Sequence, residues 1–115
     1  MCCNFSIINQ TNNGMLIFLK GCQKYQLTFN NLNFSMSTDE LDAFYLYLKR
    51  MNPAYWEKEY EHSVYEKKIP IPTLQDNFII MINRIELFEL QVLTKPNKTE
   101  IFKLVENQIL SINWN

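Results

Sequence analysis

The sequence is poor in the residues from which many small functional sites are built. It has two glycines, three cysteines and one histidine among 115 residues. Gly14 and Gly21 are too few and too isolated for a glycine-rich phosphate loop or a dinucleotide-binding fingerprint. An odd number of cysteines, with Cys2 next to Cys3, does not suit a disulfide framework. The cysteine content therefore favours a reducing compartment, and we expect a cytoplasmic protein.

The chain also lacks a surplus of charge and a long apolar run. Eleven basic and twelve acidic side chains leave a formal net charge of -1. Such a chain has no long-range field with which to hold a phosphate backbone, so nucleic acid is not expected as a partner. No apolar run approaches the ~20 residues that a membrane-spanning helix needs, so no membrane is expected either.

The apolar content suits one compact domain. Hydrophobic residues make up 47% of the chain and aromatic residues 14%. A domain of this length buries roughly two thirds of the surface that the unfolded chain exposes, which suffices for a core without metals or disulfides. We therefore predict a single domain over residues 1–115 that needs no cofactor.

Turn signals and alternation predict antiparallel strands in the first half. The segment Thr11-Asn12-Asn13-Gly14 is typical of a hairpin turn between two short strands. If Asn30 and Asn31 form a two-residue turn, alternation puts the apolar side chains of the flanking strands on one face of the sheet. That face carries Tyr25, Leu27, Phe29, Leu32, Phe34 and Met36.

Two capping boxes predict helix starts. Ser37 with Glu40, and Asn83 with Glu86, each follow an apolar strand and precede an apolar helix. The first helix should end near Met51, before Asn52-Pro53. A strand and a capped helix thus occur twice, 46 residues apart, which reflects either a duplication or only how common this local pattern is.

A last helix is predicted over Thr99–Gln108, and Ile109–Trp114 forms either more helix or a final strand. The extended segment Ile69-Pro70-Ile71-Pro72 belongs to a sheet edge, because proline cannot donate to a ladder. Together these elements predict an α+β fold: an antiparallel, meandering sheet of five or six strands with two or three helices packed on one face.

Candidates for chemistry are few. Cys2, Cys3, Cys22 and His62 are the only thiols and imidazole that could bind a metal, but no Cys-x-x-Cys pair is present and the histidine is remote. Free thiols and an exposed imidazole are the simpler interpretation. The same spacing argues against a Cys/His catalytic dyad, so we expect no enzymatic activity.

Both predicted helices carry apolar residues on two sides. Leu41, Phe44 and Leu48 mark one side of the first helix, whereas Leu46 and Tyr47 point elsewhere. In the second helix Ile85, Phe88 and Val92 lie opposite Leu87 and Leu90. A helix that is apolar all round is normally buried on both sides. The apolar side of each helix that does not face the sheet therefore predicts a surface for a second copy or another protein. Its residues are Leu46, Tyr47, Leu87 and Leu90. The alternative is that the helices bury one another.

Several short motifs resemble a family of small uncharacterised bacterial cytosolic proteins, a domain of unknown function. They are Tyr25-Gln26-Leu27-Thr28-Phe29-Asn30-Asn31, Glu40-Leu41-x-x-Phe44, Ile69-Pro70-Ile71-Pro72-Thr73 and Glu86-Leu87-x-x-Leu90. The resemblance implies a cytosolic protein with no assigned activity. Some members carry a cysteine pair near the turn before the Tyr-x-Leu-x-Phe strand, similar to a zinc knuckle. This chain keeps only Cys22 there and has Leu19 in place of a second cysteine.

These observations favour a non-enzymatic protein-interaction or regulatory module that forms a homodimer. The alternative is a small metal- or thiol-dependent protein centred on Cys22.

Overall fold

The computed structural model describes residues 4–96, which form six strands and three helices. The strands are β1 (Phe5–Gln10), β2 (Gly14–Leu19), β3 (Lys24–Phe29), β4 (Leu32–Met36), β5 (Ile69–Pro72) and β6 (Ile79–Ile82). The helices are α1 (Thr38–Arg50), α2 (Pro53–Glu59) and α3 (Arg84–Thr94). The predicted α+β fold with antiparallel strands is confirmed.

The six strands are divided between two sheets. Strands β1 to β4 form a four-stranded meander in chain order, and within residues 4–96 β5 pairs with β6 alone. The prolines of β5 explain the separation. In its register Ile69 lies opposite Ile82 and Ile71 opposite Ile80. The Pro70 carbonyl accepts a hydrogen bond from Tyr47 and so points away from β6. Because the direction alternates along a strand, the N–H groups of the two isoleucines point to β6. Pro70 and Pro72 point to the other edge and have no N–H to offer a further strand.

The predicted β3–β4 hairpin is present with the expected register. Phe29 lies opposite Leu32, and Asn30 adopts a positive φ of 53° in the turn between them. Asparagine tolerates this left-handed conformation better than most residues, which is why it suits the turn. The expected apolar face lies toward the helices, since Tyr25, Leu27 and Phe29 are all buried.

Both predicted capping boxes are present. Ser37 Oγ accepts from the N–H of Glu40 at 3.2 Å, and the Glu40 carboxylate accepts from the N–H of Ser37 at 2.8 Å. Asn83 and Glu86 make the equivalent pair at 2.8 and 2.9 Å. A hairpin followed by a capped helix therefore occurs twice in the described part, as β3–β4–α1 and β5–β6–α3. Whether this arose by duplication stays a hypothesis.

Helix α2 was not expected from the sequence. Asn52 Oδ1 accepts from the N–H of Tyr55 at 3.3 Å, and Pro53 occupies the first turn. Asparagine at the N-cap followed by proline is a favoured helix start. The pair Asn52-Pro53 thus ends α1 and begins α2, and only the first of these roles was inferred.

The core lies between the four-stranded sheet, the two-stranded sheet and helices α1 and α3. Its fully buried large side chains are Leu16, Leu27, Phe29, Leu48, Ile69 and Leu93. Among residues 4–96 no helix is both long and apolar enough to cross a membrane. The helix predicted over Thr99–Gln108 and the segment Ile109–Trp114 lie outside the described residues, as do Cys2 and Cys3.

Gly14 lies where the meander and α3 approach closely. A Cβ atom on Gly14 would lie 2.6 Å from the carbonyl oxygen of Thr28 and 2.7 Å from Cδ1 of Leu93. Both distances are shorter than van der Waals contact, and a backbone carbonyl inside a sheet cannot move aside easily. A side chain at this position would therefore push α3 away from the sheet.

We expect the Gly14→Ala variant to lower the free energy of unfolding by about 1–3 kcal/mol, as overpacking in a core does. Urea denaturation measures the change. Gly21→Ala is the matched control, because Gly21 is exposed and neither glycine has a positive φ. The control should change stability by less than about 0.5 kcal/mol. Equal stability of the two variants would contradict the close packing at Gly14.

Candidate functional site

The outer side of α3 carries an exposed apolar stripe, formed by Ile85, Phe88 and Val92 and called here the α3 stripe. These side chains are 78%, 67% and 42% exposed. Leu87 and Leu90 on the other side are each 3% exposed and belong to the core. The sequence analysis predicts Leu87 and Leu90 on the partner-facing side of α3. In the structure these two residues face the core, and the α3 stripe is the exposed side. Periodicity shows that α3 has two apolar sides, but only the fold determines which one faces the sheet.

Of the two α1 residues predicted for a partner, Tyr47 contacts β5. Leu46 is partly buried, and Tyr47 is 37% exposed. The Tyr47 hydroxyl donates to the carbonyl oxygen of Pro70 at 3.4 Å, which is a long hydrogen bond. Burial raises the pKa of Tyr47, in keeping with a ring that lies partly against the protein. Leu46 and Tyr47 are therefore each partly covered within the subunit.

The charged side chains of α3 are all bound within the subunit. Arg84 Nη2 lies 2.6 Å from Oε1 of Glu57, and Lys67 Nζ lies 2.9 Å from Oε2 of Glu86. The hydrogen bond from Arg84 holds the pKa of Glu57 below its usual value, and the same bond raises the pKa of Arg84. The third charge, Glu89, is bound to the β1–β2 turn. The α3 stripe itself carries no charge.

Glu89 accepts hydrogen bonds from three groups of the β1–β2 turn. They come from the Thr11 hydroxyl, from the Asn13 N–H at 3.1 Å and from Asn13 Nδ2 at 2.9 Å. The bonds from Thr11 and Asn13 favour the charged carboxylate and lower the pKa of Glu89. Sequence reasoning missed this contact, because its partners lie more than 70 residues apart and no local pattern marks them.

Asn9 binds the other end of α3. Its side-chain amide donates to the carbonyl oxygens of Leu93 at 2.8 Å and Lys95 at 2.9 Å, groups that a helix C-terminus leaves unpaired. A register shift between Ile7 and Asn9 makes this possible, because it brings Asn9 opposite Leu16, on the side of the sheet that faces the helices. A β-bulge redirects a side chain in this way.

A groove of about 550 Å³ runs beside β4, and we call it the β4 groove. Its walls come from β4, from α1 and from the β5–β6 hairpin. Apolar side chains predominate in its lining, and they include Phe34, Met36, Phe44, Ile71, Leu74 and Ile80.

Two of the four metal candidates, Cys22 and His62, lie in the described part of the chain. Cys22 is exposed in the turn between β2 and β3, and the His62 side chain is 92% exposed, with Nε2 3.5 Å from Glu61. Residues 4–96 contain no group of three or more histidine, cysteine or carboxylate side chains that could hold a metal ion. The alternative function centred on Cys22 gains no support from this arrangement.

The model of a family of unknown function, DUF6686, matches residues 1–115. The chain belongs to this family. The predicted resemblance to a domain of unknown function is thereby confirmed. Comparisons with curated proteins and with solved structures gave no match.

The contacts of Glu89 predict a stability that depends on pH. Its pKa is lower in the folded protein than the value of about 4.3 in an unfolded chain. The stabilisation is therefore complete above that value and is lost as the pH falls through the folded-state pKa. We expect Glu89→Gln to lower the free energy of unfolding by about 1 kcal/mol near neutral pH, the usual net contribution of one hydrogen bond. The difference should shrink below about pH 4.

Urea denaturation at neutral and at acid pH tests this. Glu59→Gln is the matched control, since Glu59 is an exposed glutamate of α2. The control variant should match the stability of the unchanged chain at both pH values. A loss at Glu89→Gln that is the same at acid and neutral pH would show that the charged carboxylate is not what the turn binds.

Proposed function

We propose that this chain is a non-enzymatic protein-interaction module that acts in the cytoplasm as a homodimer, with the α3 stripe as its contact surface. The observation that carries the proposal is the exposure of Ile85, Phe88 and Val92 on one side of a helix whose other side is core. Apolar residues at positions i, i+3 and i+7 form a continuous stripe along a helix. Such a surface is typical of protein contacts.

The α3 stripe is self-complementary. Phe88 lies near its middle, so two copies of α3 can pack antiparallel across a twofold axis. Ile85 then faces Val92 of the second copy, and the two Phe88 rings meet. An interface between identical copies needs this arrangement, because the same patch must serve both sides. Full burial of each such side chain stabilises a complex by about 1.5–3 kcal/mol.

Charge favours this contact. Arg84, Glu86 and Glu89 are bound to Glu57, Lys67 and the β1–β2 turn, so no unpaired charge of α3 has to be desolvated when the stripe is covered. A buried unpaired charge would oppose association strongly. The net charge of -1 adds little repulsion between copies. A different protein as partner would need a complementary surface of its own, whereas a second copy supplies the same stripe.

The shifted carboxylates support a role without catalysis. Glu40, Glu57 and Glu89 have lowered pKa values. Glu40 binds the N-cap residue of its own helix, and Glu57 and Glu89 bind α3 and the β1–β2 turn respectively. Ion pairs and caps account for these shifts, so none of the three is a free acid or base. The exposed free thiol of Cys22 accords with a reducing cytoplasm.

Light scattering after size-exclusion chromatography tests the dimer. We expect the unchanged chain to have the mass of two copies. Phe88→Glu should weaken the dimer about 30-fold or more, because losing a central aromatic contact costs about 2 kcal/mol or more. Ile85→Glu, at the end of the stripe, should weaken it less.

Val64→Glu is the matched control, since Val64 is 96% exposed and lies outside the α3 stripe. It introduces the same charge at an exposed apolar position and should leave the dimer intact. A monomeric unchanged chain would refute the homodimer, and a dimer that resists Phe88→Glu would refute the assigned surface.

A further inference from the structure

Asn13 directly precedes Gly14 in the β1–β2 turn, and we propose that Asn13 is a site of spontaneous deamidation whose rate is held down by Glu89 of α3. Water is the co-reactant, and the product carries a carboxylate where the Asn13 amide was. The inference is independent of the homodimer. It depends on three features: the Asn-Gly sequence, the hydrogen bonds that hold the Asn13 side chain, and the charge of the residue that this side chain faces.

The reaction begins within the chain. The backbone nitrogen of Gly14 attacks the side-chain carbonyl carbon of Asn13 and loses its proton, and the new C–N bond closes a succinimide ring. The side-chain nitrogen leaves with that proton as ammonia. Water then adds its hydroxyl to either ring carbonyl and its proton to the Gly14 nitrogen, which breaks one C–N bond of the ring. The product is aspartate or isoaspartate, and nothing is oxidised or reduced.

The sequence favours this reaction at Asn13. Of the two glycines, Gly14 follows an asparagine and Gly21 follows a lysine. Glycine has no side chain to shield its backbone nitrogen, and its backbone reaches conformations that other residues avoid. Asn13 is exposed, so water reaches its side chain. Asn13 is therefore the asparagine of this chain at which ring closure meets the least steric hindrance.

The folded protein holds both reacting groups in place. Asn13 Nδ2 donates to Oε1 of Glu89 at 2.9 Å, and the Asn13 N–H donates to Oε2 at 3.1 Å. The peptide group that contains the Gly14 nitrogen is also fixed, because its carbonyl oxygen accepts from the Asn30 N–H at 2.8 Å. Ring closure brings the Asn13 side-chain carbon onto the Gly14 nitrogen, so the amide has to leave Glu89 first. The bonds to Glu89 thus slow the reaction while α3 is bound to the turn.

Deamidation removes the donor that Glu89 binds. An amide N–H that lies against a carboxylate oxygen is replaced by an oxygen of an aspartate, which has the same charge as Glu89. Like charges at such a short distance disfavour each other. Because ammonia is lost, the original contact does not re-form. A reaction that occurs while the turn and α3 are apart therefore weakens their contact permanently.

Peptide mapping by mass spectrometry, after incubation of the full-length protein at neutral pH, tests the role of Glu89. We expect Asn13 to lose its amide about tenfold or more slowly in the folded chain than in the chain unfolded in guanidinium chloride. Glu89→Ala, which removes both acceptor oxygens, should raise the rate in the folded protein about tenfold or more. Tenfold corresponds to about 1.4 kcal/mol, the size of one or two net hydrogen bonds. Glu89→Gln keeps one acceptor oxygen and should give an intermediate rate.

Glu59→Ala is the matched control, since Glu59 is an exposed glutamate of α2 and its variant should react at the rate of the unchanged chain. Circular dichroism identifies the variants that are folded, and Glu89→Gln serves the test if Glu89→Ala is not. Equal rates at Asn13 in the folded and the unfolded chain would overturn the proposal. It would equally be overturned by a folded Glu89 variant that reacts no faster than the unchanged chain, or by an unfolded chain that keeps the amide.

The Asn13→Asp variant reproduces the product. We expect it to lower the folding equilibrium constant about tenfold or more at neutral pH, as measured by urea denaturation. Asn12→Asp is the matched control, because it introduces the same charge at the preceding exposed asparagine and should have a much smaller effect. Combining Asn13→Asp with Glu89→Gln puts an amide opposite the new carboxylate and should recover part of the loss. Equal effects of the two single variants, or no recovery in the double variant, would overturn the proposed effect on α3.

Discussion

The hydrogen bonds between the β1–β2 hairpin and α3 fix how this helix is turned about its own axis. Glu89 binds the turn near the middle of the helix, and Asn9 binds its last carbonyl groups. Gly14 lets the helix come close enough for these bonds, because any side chain there would meet Leu93. With both contacts made, Leu87 and Leu90 face the core. The outward position of the α3 stripe follows from this constraint.

A second set of contacts joins β5 and α3 to helices α1 and α2. The Tyr47 hydroxyl reaches β5, Arg84 binds Glu57 of α2, and Gln91 donates to the carbonyl oxygen of Leu48 at 2.9 Å. Each of these bonds is modest alone. Together they hold β5 and α3 against the first two helices.

Local signals in the sequence were sufficient for much of the fold. The turn at Asn30-Asn31 and the capping boxes at Ser37 and Asn83 depend on neighbouring residues only, and all three are present in the structure. The signal for α2 is also local. Asn52-Pro53 both ends α1 and begins α2, and the sequence analysis predicts only the end of α1. The division of six strands into two sheets depends on which edge the β5 prolines occupy, and this requires the register.

The candidate site was harder to predict, because it depends on contacts between distant residues. Periodicity identified two apolar sides of α3 but could not say which side the sheet covers. That choice depends on a bulge at Ile7 to Asn9 and on a carboxylate bound to a turn far away in the sequence. Neither has a pattern of its own. The family assignment adds no residue roles, since the family is one of unknown function.

The prolines of β5 have a consequence beyond the architecture. An exposed strand edge is a template on which other chains can stack, and proteins often block such edges to remain dispersed. The outer edge of β5 cannot seed this growth, because Pro70 and Pro72 offer no N–H groups there. The small two-stranded sheet is thus protected against fibril formation along this edge, because its two prolines lack N–H groups.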